Sequence, residues 1–162
     1  MPIKALNTFT KDWVIKARVS NSSLRETKTG KWMLKMEIVD ELGTSIECTF
    51  WEEAAKNWDQ KIQKDKVYLF RNGRVSMANK KFTTVRNDFC ITFYQNAVIE
   101  PANDDGKIGA QAFEFVPIQS LESEHQLKSA DILGVIVSVT DSESINLKSG
   151  GSKLKKSVVL AD

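Results

Sequence analysis

The sequence predicts an all-β chain: a five-stranded Greek-key barrel with one short helix over residues 1–100, then the opening strands of a second barrel. Three observations predict it. β-forming runs separated by turn clusters recur along the first hundred residues, and some of them alternate with period two. A single helical segment, Glu52-Glu53-Ala54-Ala55-Lys56-Asn57-Trp58, falls after the third run. An acidic stretch bearing Pro101 and Gly106 then precedes a second set of β runs.

Each element has its own reason. Trp13-Val14-Ile15-Lys16-Ala17-Arg18-Val19 is rich in β-formers and ends at the turn cluster Ser20-Asn21-Ser22-Ser23. Lys31–Val39 alternates, with Leu34, Met36 and Ile38 on one side and Lys35 and Glu37 on the other. Asp40-Glu41-Leu42-Gly43 is a hairpin turn, and Thr44–Phe50 pairs back. The helix carries its acids at the N-terminal end, where the dipole favours them. Lys66–Phe70 and Arg74–Met77 lie either side of Asn72-Gly73, and Phe89–Tyr94 with Ala97-Val98-Ile99 completes the set. Three strands, a helix and two strands is the order of the oligonucleotide/oligosaccharide-binding barrel, the OB-fold. Residues 101–111 read as an acidic linker. Residues 112–162 read as the N-terminal part of a second OB-fold domain, truncated, with Ala130–Val139 echoing the run at Trp13.

Composition narrows the function. Among 162 residues, 41% are hydrophobic and 27% charged, which suits a globular chain with a real core. No apolar stretch approaches the length of a membrane span, and no signal-peptide region is expected at the start. Cys48 and Cys90 make neither a disulfide framework nor a zinc site, so a reducing, intracellular setting is expected. With His125 as the only histidine and no glycine-rich phosphate loop, no catalytic constellation or cofactor site is expected. Net charge is only +2, yet residues 1–99 hold 17 Lys+Arg against 11 Asp+Glu. Residues 100–126 hold one lysine against six acids. A basic first segment is the electrostatic footprint a phosphate backbone requires.

The candidate contacts follow from that footprint. An aromatic at a surface position beside cations can stack on an unpaired base, because every base has a π-face. Phe50 and Phe82 are the two candidates. Ile46, Cys48 and Phe50 share one face by period two, which favours the core for Phe50, whereas Trp51 at the corner could instead turn inward; both readings of Phe50 stay open. Phe82, among Lys80, Lys81, Thr83 and Thr84, is harder to bury. The polar loop Asn21–Lys31 offers Arg25, Lys28 and Lys31 to phosphates, or is an ordinary solvated hairpin. Trp32 at its exit stacks on a base or plugs the barrel end. Arg86 adds a cation near Phe82, or pairs with Asp88. Lys148 and Lys153 flank the Gly150-Gly151 turn as phosphate contacts or a solvated tip. Trp13, Trp58, Tyr68 and Phe70 read as core.

Trp13–Asn21, Met36–Gly43, Thr49-Phe50, Lys66-Val67-Tyr68 and Ala78–Thr83 closely resemble the first high-affinity DNA-binding barrel of the replication protein A large subunit. Phe113–Asp162 resembles the start of that subunit's second barrel. The resemblance implies single-stranded DNA as ligand, other subunits of a replication protein A-type complex as partners, roles in replication, repair and recombination, and a nuclear location. It implies that the aromatics at Phe50 and Phe82 stack on bases and that Arg25 approaches the strand. It also sets Ile46 and Ser76 where an arginine and a lysine commonly contact DNA, with Arg74 or Lys35 as compensating cations. A specialised telomeric or meiotic paralogue, and a protein-interaction OB-fold, are the alternatives.

Overall fold

The computed structural model describes residues 1–110, 113, 115–123, 130–147 and 150–162. They fall in two compact units, Met1–Ala112 and Phe113–Asp162.

The first unit is a closed barrel. Its strands are β1 (Ile15–Glu26), β2 (Trp32–Val39), β3 (Ser45–Trp51), β4 (Val67–Met77) and β5 (Phe89–Pro101), with α1 (Glu52–Asp59) between β3 and β4. Strand order round the barrel is β1-β2-β3-β5-β4, closed by antiparallel pairing of β1 with β4. Only β3 and β5 are parallel, and the crossover they need is supplied by α1 and β4. The expected order of elements is the observed one.

Period two decides which residues fill the interior. Along β3, Ile46, Cys48 and Phe50 are sealed from solvent, while Glu47, Thr49 and Trp51 lie on the other face. Phe50, Phe70 and Phe93 form the aromatic centre, with Phe50 and Phe93 stacked at 4.9 Å between centroids. α1 covers this centre by burying Ala54 and Ala55, and its Trp58 ring stands 6.3 Å from Phe50. Asp40 is buried at the β2–β3 turn, where it accepts hydrogen bonds from the amides of Ile3, Leu42 and Thr44.

Two features depart from the sequence reading. The residues Asn21–Glu26 are not loop but the outer half of β1, paired with β2 as far as Glu26↔Trp32. The turn is therefore only Thr27–Lys31, closed by bonds between Thr27 and Lys31 and by Gly30 at φ +78°. β4 is also one bent strand rather than two pieces. At Gly73 a Cβ would lie 2.4 Å from Ile91 Cγ2 and 2.8 Å from Phe93 Cε1, so only glycine lets β4 approach β5 there. Across this bend Arg71 pairs with Val98 and Gly73 with Phe93, which leaves Tyr94–Ala97 bulging from β5.

Residues 102–108, within the expected acidic linker, lie against the barrel. Pro101 ends β5, the Ala102 amide donates to the Val67 carbonyl, and Ile108 is buried with Val39 and Val67. Arg18 grips this stretch: its guanidinium makes a two-pronged pair with Asp104 at 2.8 Å and donates to the Ile108 and Asp65 carbonyls. Lys16 pairs with Asp105 at 3.3 Å. The Arg18 fork and then the Gly106 amide hold the Asp104 carboxyl below its ordinary range, and the Lys107 amide and then Lys16 do the same for Asp105.

The second unit contains β6 (Val135–Val139) paired with β9 (Val158–Ala161), and β7 (Glu143–Asn146) paired with β8 (Ser152–Lys155). The Phe113 and Phe115 rings stack at 5.6 Å. Nearly every strand residue here is exposed.

Candidate nucleic-acid interface

The outward face of β2 and β3 carries Lys35, Glu37, Glu47, Thr49 and Trp51. Phe50 is not on it. Its ring is 0% exposed and locked between Phe93 and Trp58, so it cannot meet a base. The aromatic that β3 presents is its neighbour Trp51, 41% exposed, one residue further on and therefore on the opposite face. Phe82 is where an aromatic platform belongs: 73% exposed, in the loop between β4 and β5.

That loop is held over the face rather than left to wander. Lys35 Nζ reaches Glu47 Oε2 at 2.9 Å and the Phe82 carbonyl at 2.9 Å, fastening the loop to both strands. The Asn87 side chain donates to the Ser45 carbonyl, and its Oδ1 accepts from the Phe89 amide. Phe82 is thus presented near Glu47, and Trp51 lies four residues along the same strand, about 13 Å away. Two exposed rings, Trp51 on the outward face of β3 and Phe82 in the loop fastened to Lys35, form a surface suited to a strand of unpaired bases.

The cations sort into two groups. Arg25 is exposed on β1 opposite Met33, and Lys28 and Lys31 are exposed in the adjoining turn. Arg74 is exposed on β4 opposite Thr92, and Lys81 lies beside Phe82. These five have no ion pair among the described residues. Lys80, by contrast, is paired with Asp88 at 2.9 Å and donates to the Asn87 carbonyl, so it serves the loop's shape. Arg86 is half-buried. Lys35 is half-buried and spent on Glu47 and the loop, so it is no substitute phosphate contact.

Trp32 is half-buried against the core, with Lys56 Nζ 5.1 Å from its ring centre, so it seals the barrel end more than it offers a platform. Ile46 is fully buried, so its side chain offers nothing at the position where the resemblance sets a DNA contact. Ser76 is half-buried, with its hydroxyl 3.4 Å from the Cys90 sulfur. Burial pushes the Cys48 thiol well above its ordinary range, leaving it an inert core residue. Lys153 is exposed on β8, in the second unit, and Lys148 lies outside the described residues.

Sequence reasoning missed Trp51 and Tyr94. The signal for Trp51 was present: once Ile46, Cys48 and Phe50 are assigned to the core, alternation sends Trp51 outward. Likewise Ile91 and Phe93 face inward, which turns Tyr94, 49% exposed, to the surface.

A five-stranded OB barrel with exposed aromatics, and with exposed cations that have no ion pair among the described residues, defines an oligonucleotide-binding class of domain. Residues 4–122 match the family described as a domain of unknown function, DUF223, and the chain belongs to that family. It is 34% identical over 168 residues to the replication protein A 70 kDa DNA-binding subunit of Xenopus laevis, a match covering 100% of this chain and 27% of that protein. The protein of the same name in Mus musculus is 33% identical over 168 residues, covering 100% and 27%. The chain thus spans about a quarter of the length of these relatives. A replication protein A heterotrimer bound to single-stranded DNA is similar in structure, with a TM-score of 0.62 and 27% identity over 100% of this chain and 38% of that one. DNA-binding domain A of the Saccharomyces cerevisiae protein shares the fold, with a TM-score of 0.50 and 23% identity over 65% of this chain and 95% of that one.

Proposed function

We propose that this chain binds single-stranded DNA, stacking bases on Trp51 and Phe82 and meeting phosphates with Arg25, Lys28, Lys31, Arg74 and Lys81. The observation that carries this reading is the pair of solvent-open rings, Trp51 on the outward face of β3 and Phe82 in the loop that Lys35 fastens to β2. The relatives support it, since they are DNA-binding subunits of replication protein A. On that basis the module works in a replication protein A-type assembly in the nucleus, with other subunits as partners, and serves replication, repair and recombination. It is a binding module and not an enzyme.

The test is an oligothymidine titration followed by tryptophan fluorescence. Trp51→Ala and Phe82→Ala should each weaken binding by about 1–3 kcal/mol, while the dependence on salt stays as in the parent. Binding by Trp51→Ala and Phe82→Ala at parental strength would sink the proposal.

A further inference from the structure

Arg25 and Trp51 stand in one row across the barrel wall. Arg25 pairs with Met33 on β2, and Met33 pairs with Trp51 on β3. Side chains directly opposite in a sheet share a face. The row continues on β5, which runs parallel to β3 with Phe50 beside Phe93, so the next outward pair is Trp51 and Tyr94. β4 follows, with Asn72 and Arg74 exposed.

Tyr94 is set firmly in this row. Gly73 lets β4 approach Phe93, the residue before it, and the Asn72 side chain donates to the Asn96 carbonyl at 3.3 Å. The Tyr94 ring borders two recesses. One, of about 380 Å³, also has Lys11, Asp12, Asn72 and Arg74 in its lining. Lys11 and Arg74 are exposed and have no ion pair among the described residues. The other, of about 440 Å³, lies between Tyr94 and Trp51, with Ala54 and Phe93 adding apolar surface and Glu52 and Glu53 at its rim. Neither Trp51 nor Tyr94 packs on another aromatic ring among the described residues.

We infer that Tyr94 is a third stacking ring: a base enters the cleft between it and Trp51, and the adjoining phosphate lies in the recess of Lys11 and Arg74. A base carries no net charge and has an apolar face, which suits the apolar cleft. A phosphate is repelled from a rim bearing Glu52 and Glu53 and drawn to the recess where cations outnumber the one acid. The row then runs Arg25, Trp51, Tyr94, Arg74, with two rings between cations, across strands β1 to β4 in barrel order. Stacking accepts any base, so no sequence preference follows.

The inference rests on the single-strand reading, and the experiment separates the two. The whole chain is bound to oligothymidine in which one thymidine at a time is replaced by iododeoxyuridine, and irradiation cross-links the ring stacked on it. Peptide mapping should find adducts at Tyr94 as well as at Trp51 and Phe82. Tyr94→Ala should weaken oligothymidine binding about tenfold with the salt slope unchanged, and Tyr94→Phe should bind as the parent does. Lys11→Gln should instead lower the salt slope by about 0.7. All three variants change exposed side chains, so thermal unfolding should stay near that of the parent. Adducts confined to Trp51 and Phe82, with Tyr94→Ala binding at parental strength, overturn the third ring and leave the DNA reading standing. A Tyr94→Phe variant as weak as Tyr94→Ala overturns it too, since stacking needs only the ring. If no oligomer binds, both readings fall.

Discussion

The two units use similar β sequence and end differently. In the first, the apolar residues of β1, β3 and β5 are enclosed by a ring of paired strands, and Phe50, Phe70 and Phe93 lose all contact with water. In the second, Val135, Ile136 and Val137 are 61–74% exposed, on a strand whose only strand partner among the described residues is β9. The lesson is that alternation assigns faces, but only closure of the sheet makes one face an interior. A β run states its own pattern and not whether anything will cover it.

Truncating matched apolar residues puts this contrast under the severest strain. Phe50→Ala should cost about 3–5 kcal/mol of unfolding free energy, because it opens a cavity between Phe93 and Trp58. Val137→Ala on β6 should shift stability by no more than about 0.5 kcal/mol, as exposed positions do. Denaturant titration of both variants reads the difference, and similar costs at the two sites would undo the contrast. A more modest loss comes from Gly73→Ala. The added methyl meets Ile91 and Phe93 and should cost about 1–3 kcal/mol, while also shifting the Tyr94 bulge. Thermal unfolding measures the first effect and tyrosine exposure the second.

A milder, local effect delimits what belongs to the closed unit. Asp104 and Asp105 have depressed carboxyl pKa values when docked, against an ordinary value of 3.8. Their contribution is therefore complete above that value and fades as pH falls through the lowered docked values. Hydrogen exchange at Ala102 and Asp104–Ile108 should quicken below about pH 4 while the β2 and β3 amides remain protected. Asp104→Asn should produce the same local loosening at neutral pH. Unchanged protection at low pH would mean that Ile108 burial alone holds the segment.

The fold was legible because its determinants are local: period-two runs, the Asp40–Gly43 turn, and one helix with acids at its start. The length of β1 was less so. Asn21-Ser22-Ser23 is turn chemistry by composition, yet the ladder to β2 carries it through as strand. The docking of residues 102–108 was not legible for a related reason, since Arg18 is far away in sequence and its hold on Asp104 and the Ile108 carbonyl leaves no local mark. At the site, the neighbouring residues Phe50 and Trp51 exchanged roles. Both are aromatic, and a one-residue choice of register decides which one is inside. Phe82 needed no register, only a loop too polar to bury it.

The Arg18 clamp has an electrostatic consequence. A guanidinium fork closed on a carboxylate is the same recognition geometry that would seize a phosphate diester. By filling that fork and the Lys16 ammonium with its own acids, the chain removes the base of β1 from competition for polyanions. In the proposed single-strand complex, Arg18 and Lys16 would therefore add no phosphate contact of their own.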